Sequence, residues 1–214
     1  MKLLFLFPLI LIFFVALNTS AITSEVVAKI GKDVITSRRV LADTVLEANW
    51  TLPGSVKALS VQSNEFNTEL NRFLMERVVY LESQSFSLIS VKPAEVAKAK
   101  RVVLQNVKAS GASSLWNQLA MTNDEVMELV KQKISSQKFI EFKSKASYVP
   151  VTEAEAYNYF QNNQAQFEGK EYKKIKEGIK RNLAKLQAQQ RLEDWYDILK
   201  KKYDVTKIVS HIAE

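Results

Sequence analysis

The residue types that most often carry chemistry are scarce in this chain. It has one histidine, His211, and no cysteine. A serine or cysteine nucleophile needs a base held rigidly beside it. His211 stands in the C-terminal tail, a poor place to hold a base, and is expected to be a solvated tail residue. Zinc sites draw on cysteine and histidine, and a single histidine does not furnish one. Neither GxGxxG nor GxxxxGK[ST] occurs, so no phosphate-cradling loop is expected. The sequence calls for no metal and no cofactor. Three acidic pairs remain: Asp124/Glu125, Glu153/Glu155 and Glu193/Asp194. Glycosidase-like carboxylates act across a substrate cleft, and no such cleft is legible here. The first two pairs follow Thr122 and Thr152 at the spacing of capping boxes, where negative charge also suits a helix N-terminus. No catalytic set survives, so the expectation is a protein that binds rather than reacts.

Binding surfaces are harder to exclude. Met75, Met121, Met127, Trp50, Trp116 and Phe86 are the flexible or flat apolar side chains that adaptable surfaces use. At helical spacing the same residues more often serve as core. The candidate groove is the segment 113–127, where Trp116, Leu119, Met121 and Met127 cluster at the junction of a short helix with a long one. Helix ends that meet leave grooves more readily than mid-helix seams do.

The elements that would position these residues follow an N-terminal leader. Lys2 supplies one positive charge, residues 3–17 are an apolar run, and Asn18-Thr19-Ser20-Ala21 ends on small residues. This is the pattern of a secretory signal cleaved after Ala21. The run is shorter than the ~20 residues that span a bilayer, and it contains Pro8. Left uncleaved, it would tether the chain to a membrane. Export means work without ATP. The net charge of +7 falls to +6 once Lys2 is removed. Nucleic acid is a poor partner for an exported chain; solvated lysine-rich faces, or contact with acidic clients or anionic lipid, suit it better.

The mature chain is expected to be mainly helical. Glycine and proline are few (5 and 4), and the apolar pattern is long and periodic. Residues 25–35 read as a hairpin turning at Gly31-Lys32-Asp33, with Thr36 or Ser37 capping the next helix. Residues 48–64 are weakly patterned around Pro53-Gly54, a connector or flap. Strong helices are expected over 65–86, 93–110 and 122–146, with a short one at 113–120. Val126, Leu129, Val130, Ile134 and Ile140 form the inner face of the third. A second capping box opens a helix at 153. The longest segment, 171–202, carries Ile175, Ile179, Leu183, Leu186, Trp195 and Leu199 on one apolar side. Residues 203–209 look like a last strand. An isolated hairpin is marginal in water, so this strand is expected beside it.

The arrangement resembles a known family. Residues 25–36 (EVVAKIGKDVIT), followed by a helix, resemble the opening of SurA-like periplasmic chaperones, a hairpin of the form V-A-x-V-N-x-x-x-I-T. Residues 70–84 (LNRFLMERVVYLESQ) are similar to the family's L-x-x-L-I-x-x-x-L helix. Residues 149–167 (VPVTEAEAYNYFQNNQAQF) are similar to its V-T-x-x-E-x-x-x-Y-F-x-x-N segment. Residues 91–107 and 122–143 continue the match, and 189–208 (QQRLEDWYDILKKKYDVTKI) resemble the last helix and strand. Each motif is weak alone; their order is the stronger signal. In the family, parvulin prolyl-isomerase domains usually stand between the position of Phe167 and the last helix. Here Phe167 runs almost directly into Glu171, and five glycines with one histidine cannot supply a parvulin site. The connector 48–64 also looks longer than usual.

The resemblance implies a SurA-type helical chaperone core with a small N-terminal hairpin, a long C-terminal helix and a final short strand. The expected organisation is a signal peptide over 1–21, a chaperone domain over 22–167 and a C-terminal helix and strand over 168–214. The expected function is that of an ATP-independent periplasmic holdase, not an enzyme. It would bind unfolded polypeptides, outer-membrane β-barrel precursors above all, with Trp116, Leu119, Met121 and Met127 lining the groove. The alternatives are a membrane-tethered scaffold with one dedicated partner and, more remotely, a prolyl isomerase.

Overall fold

The computed structural model describes residues 24–86, 89–146 and 149–208. The expected leader over 1–21 and His211 lie outside them. The fold is mainly α, with one small antiparallel sheet. Strands β1 (Val26–Ile30) and β2 (Asp33–Thr36) form the hairpin around Gly31-Lys32. Strand β3 (Val205–Lys207) pairs antiparallel with the other side of β1, giving the order β2-β1-β3. The expectation that the last strand supports the hairpin is met; Val209, its expected end, lies outside the described residues. The register shifts between Val26 and Ala28, and the Val27 carbonyl accepts from the Ile208 N–H at 2.9 Å. The Gly31 N–H donates to the Asp204 carbonyl at 3.2 Å, which ties the C-terminal segment to the hairpin turn.

The helix boundaries follow their caps. Thr36 accepts from the Arg39 N–H and opens α1 (Ser37–Ala48); Ser63 accepts from the Phe66 N–H at 3.1 Å and opens α2 (Asn64–Ser85). Pro93 begins α3 (Pro93–Ala109), where its missing N–H costs nothing. At the other end the Ala112 and Gly111 N–H groups return to the Val107 and Lys108 carbonyls. This Schellman closure needs the left-handed conformation that Gly111 adopts (φ 78°). Helix α4 (Ser113–Gln118) is a short turn before α5 (Asn123–Ala146). Thr122 and Glu125 exchange both bonds of a capping box, as do Thr152 and Glu155 ahead of α6 (Glu153–Asn162). A 3-10 turn, Gln164–Phe167, leads to α7 (Tyr172–Lys202), which spans ~46 Å.

The connector between α1 and α2 is irregular, as its weak pattern implied, yet it is pinned. Asn49 is fully buried, donates to the Val45 carbonyl at 2.9 Å and accepts from the Gly54 N–H at 3.1 Å. Gly54 lies so close to α1 that a Cβ would fall 2.2 Å from the Ala48 carbonyl oxygen, so only glycine fits. Trp50 packs half-buried against the main core.

Two apolar clusters result among the described residues. The larger joins Val27, Ile30 and Ile35 of the sheet to α1, α2, α3, α5 and the C-terminal end of α7, through residues such as Leu46, Phe66, Phe73, Leu129 and Leu199. The smaller consists of Val151, Ala156 and Ile179, surrounded by Tyr159, Phe160, Phe167, Tyr172 and Leu183. It crosses the expected boundary between residues 167 and 168. Near the C-terminal end of α5 Phe139 is fully buried, and Ile140, expected on the inner face, is half-buried.

Helix α7 serves both clusters with different faces. Ile179 and Leu199 are twenty residues apart, which at 100° per residue places them about 200° apart around the axis. The buried side therefore rotates half a turn along the helix. The single apolar side expected from the sequence is corrected accordingly. Leu186 shares the angular position of Ile179 but lies past the end of the small cluster, and it is 48% exposed.

Candidate functional site

The segment 113–127 is a latched junction. Ala120 turns the chain with a positive φ of 45°. Arg38, reaching from α1, donates to the Leu119 carbonyl at 3.0 Å, the Ala120 carbonyl at 3.3 Å and Met121 Sδ at 3.3 Å, and its guanidinium pairs with Glu125. Glu125 also accepts from the Thr122 N–H at 2.8 Å. That bond holds its carboxyl below the usual range, against some burial and with help from Arg38. Leu119 has no exposed surface and closes the core, which removes it from a contact surface in this conformation. Trp116, Met121 and Met127 pack against the same core and stay half-buried. Arg38 was not singled out from the sequence: its partners are more than 80 residues away.

A partly exposed aromatic cluster lies elsewhere, where the C-terminal ends of α2 and α5 meet α7. Phe139 is buried at its centre. Around it stand Phe86 (ring centroids 5.3 Å apart), Phe142 (6.2 Å, stacked) and Trp195 (5.8 Å, tilted). Phe86 and Phe142 remain 42% and 40% exposed. Lys143 Nζ stands 5.3 Å from the Trp195 ring centroid, a cation–π distance. Helix α5 supplies both the buried hub and the exposed ring because Phe139 and Phe142 are three residues apart, on one face. The C-terminal end of α7 is held down by Glu82 of α2, which accepts from Lys202 at 2.6 Å and from the Tyr203 hydroxyl at 2.7 Å. Against burial, those two bonds keep the Glu82 carboxyl below its ordinary range. Among these residues the sequence singled out only Phe86 as a contact residue. The spacing of Phe139 and Phe142 was the available signal for the rest.

A neighbouring face of α5 borders a second feature, an open cleft of about 400 Å³ between α3 and α5. Trp50, Ala99, Val102 and Ile134 give it an apolar lining, and Glu95, Lys98, Lys138 and Glu141 ring it with charge. Lys138 pairs with Glu95 at 2.8 Å. Val102 is substantially exposed there. Met75 is exposed on α2.

The acidic pairs have structural work. Glu125 and Glu155 close their capping boxes. Glu153 joins α6 to α7 through Lys180 at 2.6 Å, the Tyr172 hydroxyl at 2.9 Å and Lys176 at 3.5 Å. The bonds from Lys180 and Tyr172 lower its carboxyl to about 2. Glu193 and Asp194 accept from Gln189 and Gln190, one turn earlier on α7. Among the described residues no group of histidine, cysteine and acidic side chains is arranged to hold a metal ion. No helix among them is long and apolar enough to cross a membrane.

Fold and surface together define a mainly α protein with a small three-stranded sheet and a partly exposed aromatic cluster at a three-helix junction. No family model, no curated protein and no solved structure matches the chain.

Proposed function

We propose that this chain is an exported holdase that binds unfolded polypeptides without ATP, in the periplasm, and that outer-membrane β-barrel precursors are its main clients. The observation that carries the reading is the cluster of Phe86, Phe142 and half-buried Trp195 around the buried Phe139, with Phe86 and Phe142 exposed at a junction of three helices. Flat aromatic side chains supply large contact area at low conformational cost, and clustered exposed apolar surface marks an interaction site. Barrel precursors expose alternating apolar residues before insertion, which such a surface can meet at several points. Weak, multipoint contact permits release by transfer to a tighter acceptor, with no nucleotide step. The order of motifs shared with SurA-like chaperones and the leader pattern at residues 1–21 support the same reading. The basic overall charge favours acidic stretches of client.

The test is suppression of aggregation of an unfolded barrel precursor at near-stoichiometric ratio, without ATP. The expected result is that the chain suppresses it, and that replacing Phe86 and Phe142 together by serine abolishes the effect while the melting temperature changes little. Unimpaired aggregation with the unaltered protein rejects the reading. Crosslinking in the native envelope separates it from a scaffold: many unrelated precursors are expected, and a single stoichiometric partner argues for the scaffold.

A further inference from the structure

Helices α1, α2 and α5 meet at a joint that buries charge. Asp43 and Glu47 come from α1; Glu69, Arg72 and Glu76 from α2; Lys133, Gln132 and Ser136 from α5. Arg72 spreads its guanidinium over Asp43 (2.6 Å), Glu69 (2.8 Å), Glu47 (3.4 Å) and Glu76 (3.8 Å). Lys133 Nζ pairs with Glu76 at 3.0 Å and with Glu47, and the Trp50 ring lies 5.5 Å from it. Thr44 donates a further bond to Glu69. Four carboxylates thus face two cations. The nearby arginines are engaged elsewhere: Arg77 with Asp33 and Glu128, Arg39 with Glu128.

Two oxygens in this joint are poorly served. The Asp43 side chain is 1% exposed, and its Oδ1 is buried with no hydrogen-bond partner among the described residues. Glu76 Oε1 has only a long 3.4 Å contact from Gln132 Nε2, and the Glu76 side chain is 11% exposed. Glu47 and Glu69 reach solvent (42% and 26% exposed), so the cost falls on Asp43 and Glu76. A buried carboxylate with a poorly served oxygen is costly to keep charged, and a proton relieves it directly.

We infer that the Asp43/Glu76 pair is a proton-binding site: as the medium turns mildly acidic, the folded chain takes up one proton there and the α1–α2–α5 joint tightens. Burial, seconded by Asp43, raises the Glu76 carboxyl from 4.5 to about 7, against Lys133 and Arg72. Burial likewise raises Asp43, against Arg72 and Lys133. The two are close enough to titrate as one unit. In the unfolded chain both carboxyls return to their ordinary values. The folded state therefore binds the extra proton between about pH 4.5 and 7. The stabilisation is complete below that window and lost as pH rises through 7. Glu82, Glu95, Glu125 and Glu128, held below their ordinary range, act in the opposite sense at lower pH. Stability should peak near ~pH 5 rather than at neutrality. The inference is independent of the holdase reading.

The experiment is thermal and urea unfolding of the purified protein between about pH 8 and pH 5, with carboxyl-carbon NMR titration of the same samples. The expected result is a melting temperature higher by ~5 °C at the acid end, with one side-chain carboxyl titrating near pH 7. Glu76→Gln flattens the slope and removes that titration, and it is more stable than the unaltered protein at the alkaline end. Asp43→Asn flattens the slope as well. Stability that falls steadily from pH 8 to 5, or a Glu76→Gln protein with the full slope, overturns the inference. If neither variant folds, the carboxyl titration of the unaltered protein decides alone: no carboxyl above the ordinary range rejects the site.

Discussion

The body of the molecule and its small lobe are held together by different means. The body buries a continuous apolar core from the sheet, α1, α2, α3, α5 and the end of α7, and closes around it a buried charge network. The lobe, α6 with the link before it and the first half of α7, buries only Val151, Ala156 and Ile179 among the described residues. It relies on aromatic edges: Tyr157 against Tyr172 at 5.1 Å, Phe160 against Phe167 at 5.6 Å and against Tyr172 at 5.4 Å. Its ion pairs, Glu153 with Lys176 and Lys180, are solvent-exposed, where such pairs contribute little. The difference teaches where cooperativity resides. The body has a continuous core of its own, whereas the lobe depends on a helix whose other end is anchored there. Low-stability elements are also the ones that open first.

The largest effect is expected at the hub of the aromatic cluster. Phe139→Ala should destabilise the body by ~3–5 kcal/mol, read as a lower urea midpoint, because a fully buried ring leaves a cavity. Under the proposed holdase function it should also weaken client capture, since Phe86, Phe142 and Trp195 lose their common support. Leu199→Ala comes next, at ~2–4 kcal/mol, again in the global transition, because Leu199 anchors α7 to the body. Ile179→Ala sharpens the contrast. Hydrogen exchange should quicken across α6 and the first half of α7 while the global midpoint stays nearly unchanged. An Ile179→Ala midpoint that falls as far as that of Leu199→Ala would merge the two regions into one cooperative unit. The smallest effect is at the α6 cap. Thr152→Ala breaks the capping box and should cost ~1 kcal/mol, confined to exchange rates in α6.

Most element boundaries were legible in the sequence because their causes are local. Thr36, Thr122 and Thr152 cap, Pro93 starts a helix, Gly111 ends one, and the hairpin turns at Gly31. The supporting strand was legible from the instability of a lone hairpin. The contact surface was less so. Leu119, Trp116, Met121 and Met127 share a helix junction in sequence, but Arg38 crosses from α1 and latches that junction, which no local spacing reveals. Phe86 was read as a contact residue without its neighbours, since Phe139 meets it, and Phe142 and Trp195 meet Phe139, only through packing.

The sequence by itself determined the helices, the caps, the hairpin and the scarcity of histidine and cysteine, because each depends on residue type and on neighbours within a few positions. Tertiary structure alone decided three things. It chose which face of α7 is buried where, since a helix with apolar residues spread around its axis can serve two cores at once. It collected Phe86, Phe142 and Trp195 from three helices into one surface. And it gathered Asp43, Arg72, Glu76 and Lys133 into one joint, with Asp43, Glu76 and Lys133 largely out of water. Their protonation then depends on burial and on charges from other helices, and neither can be counted along the chain.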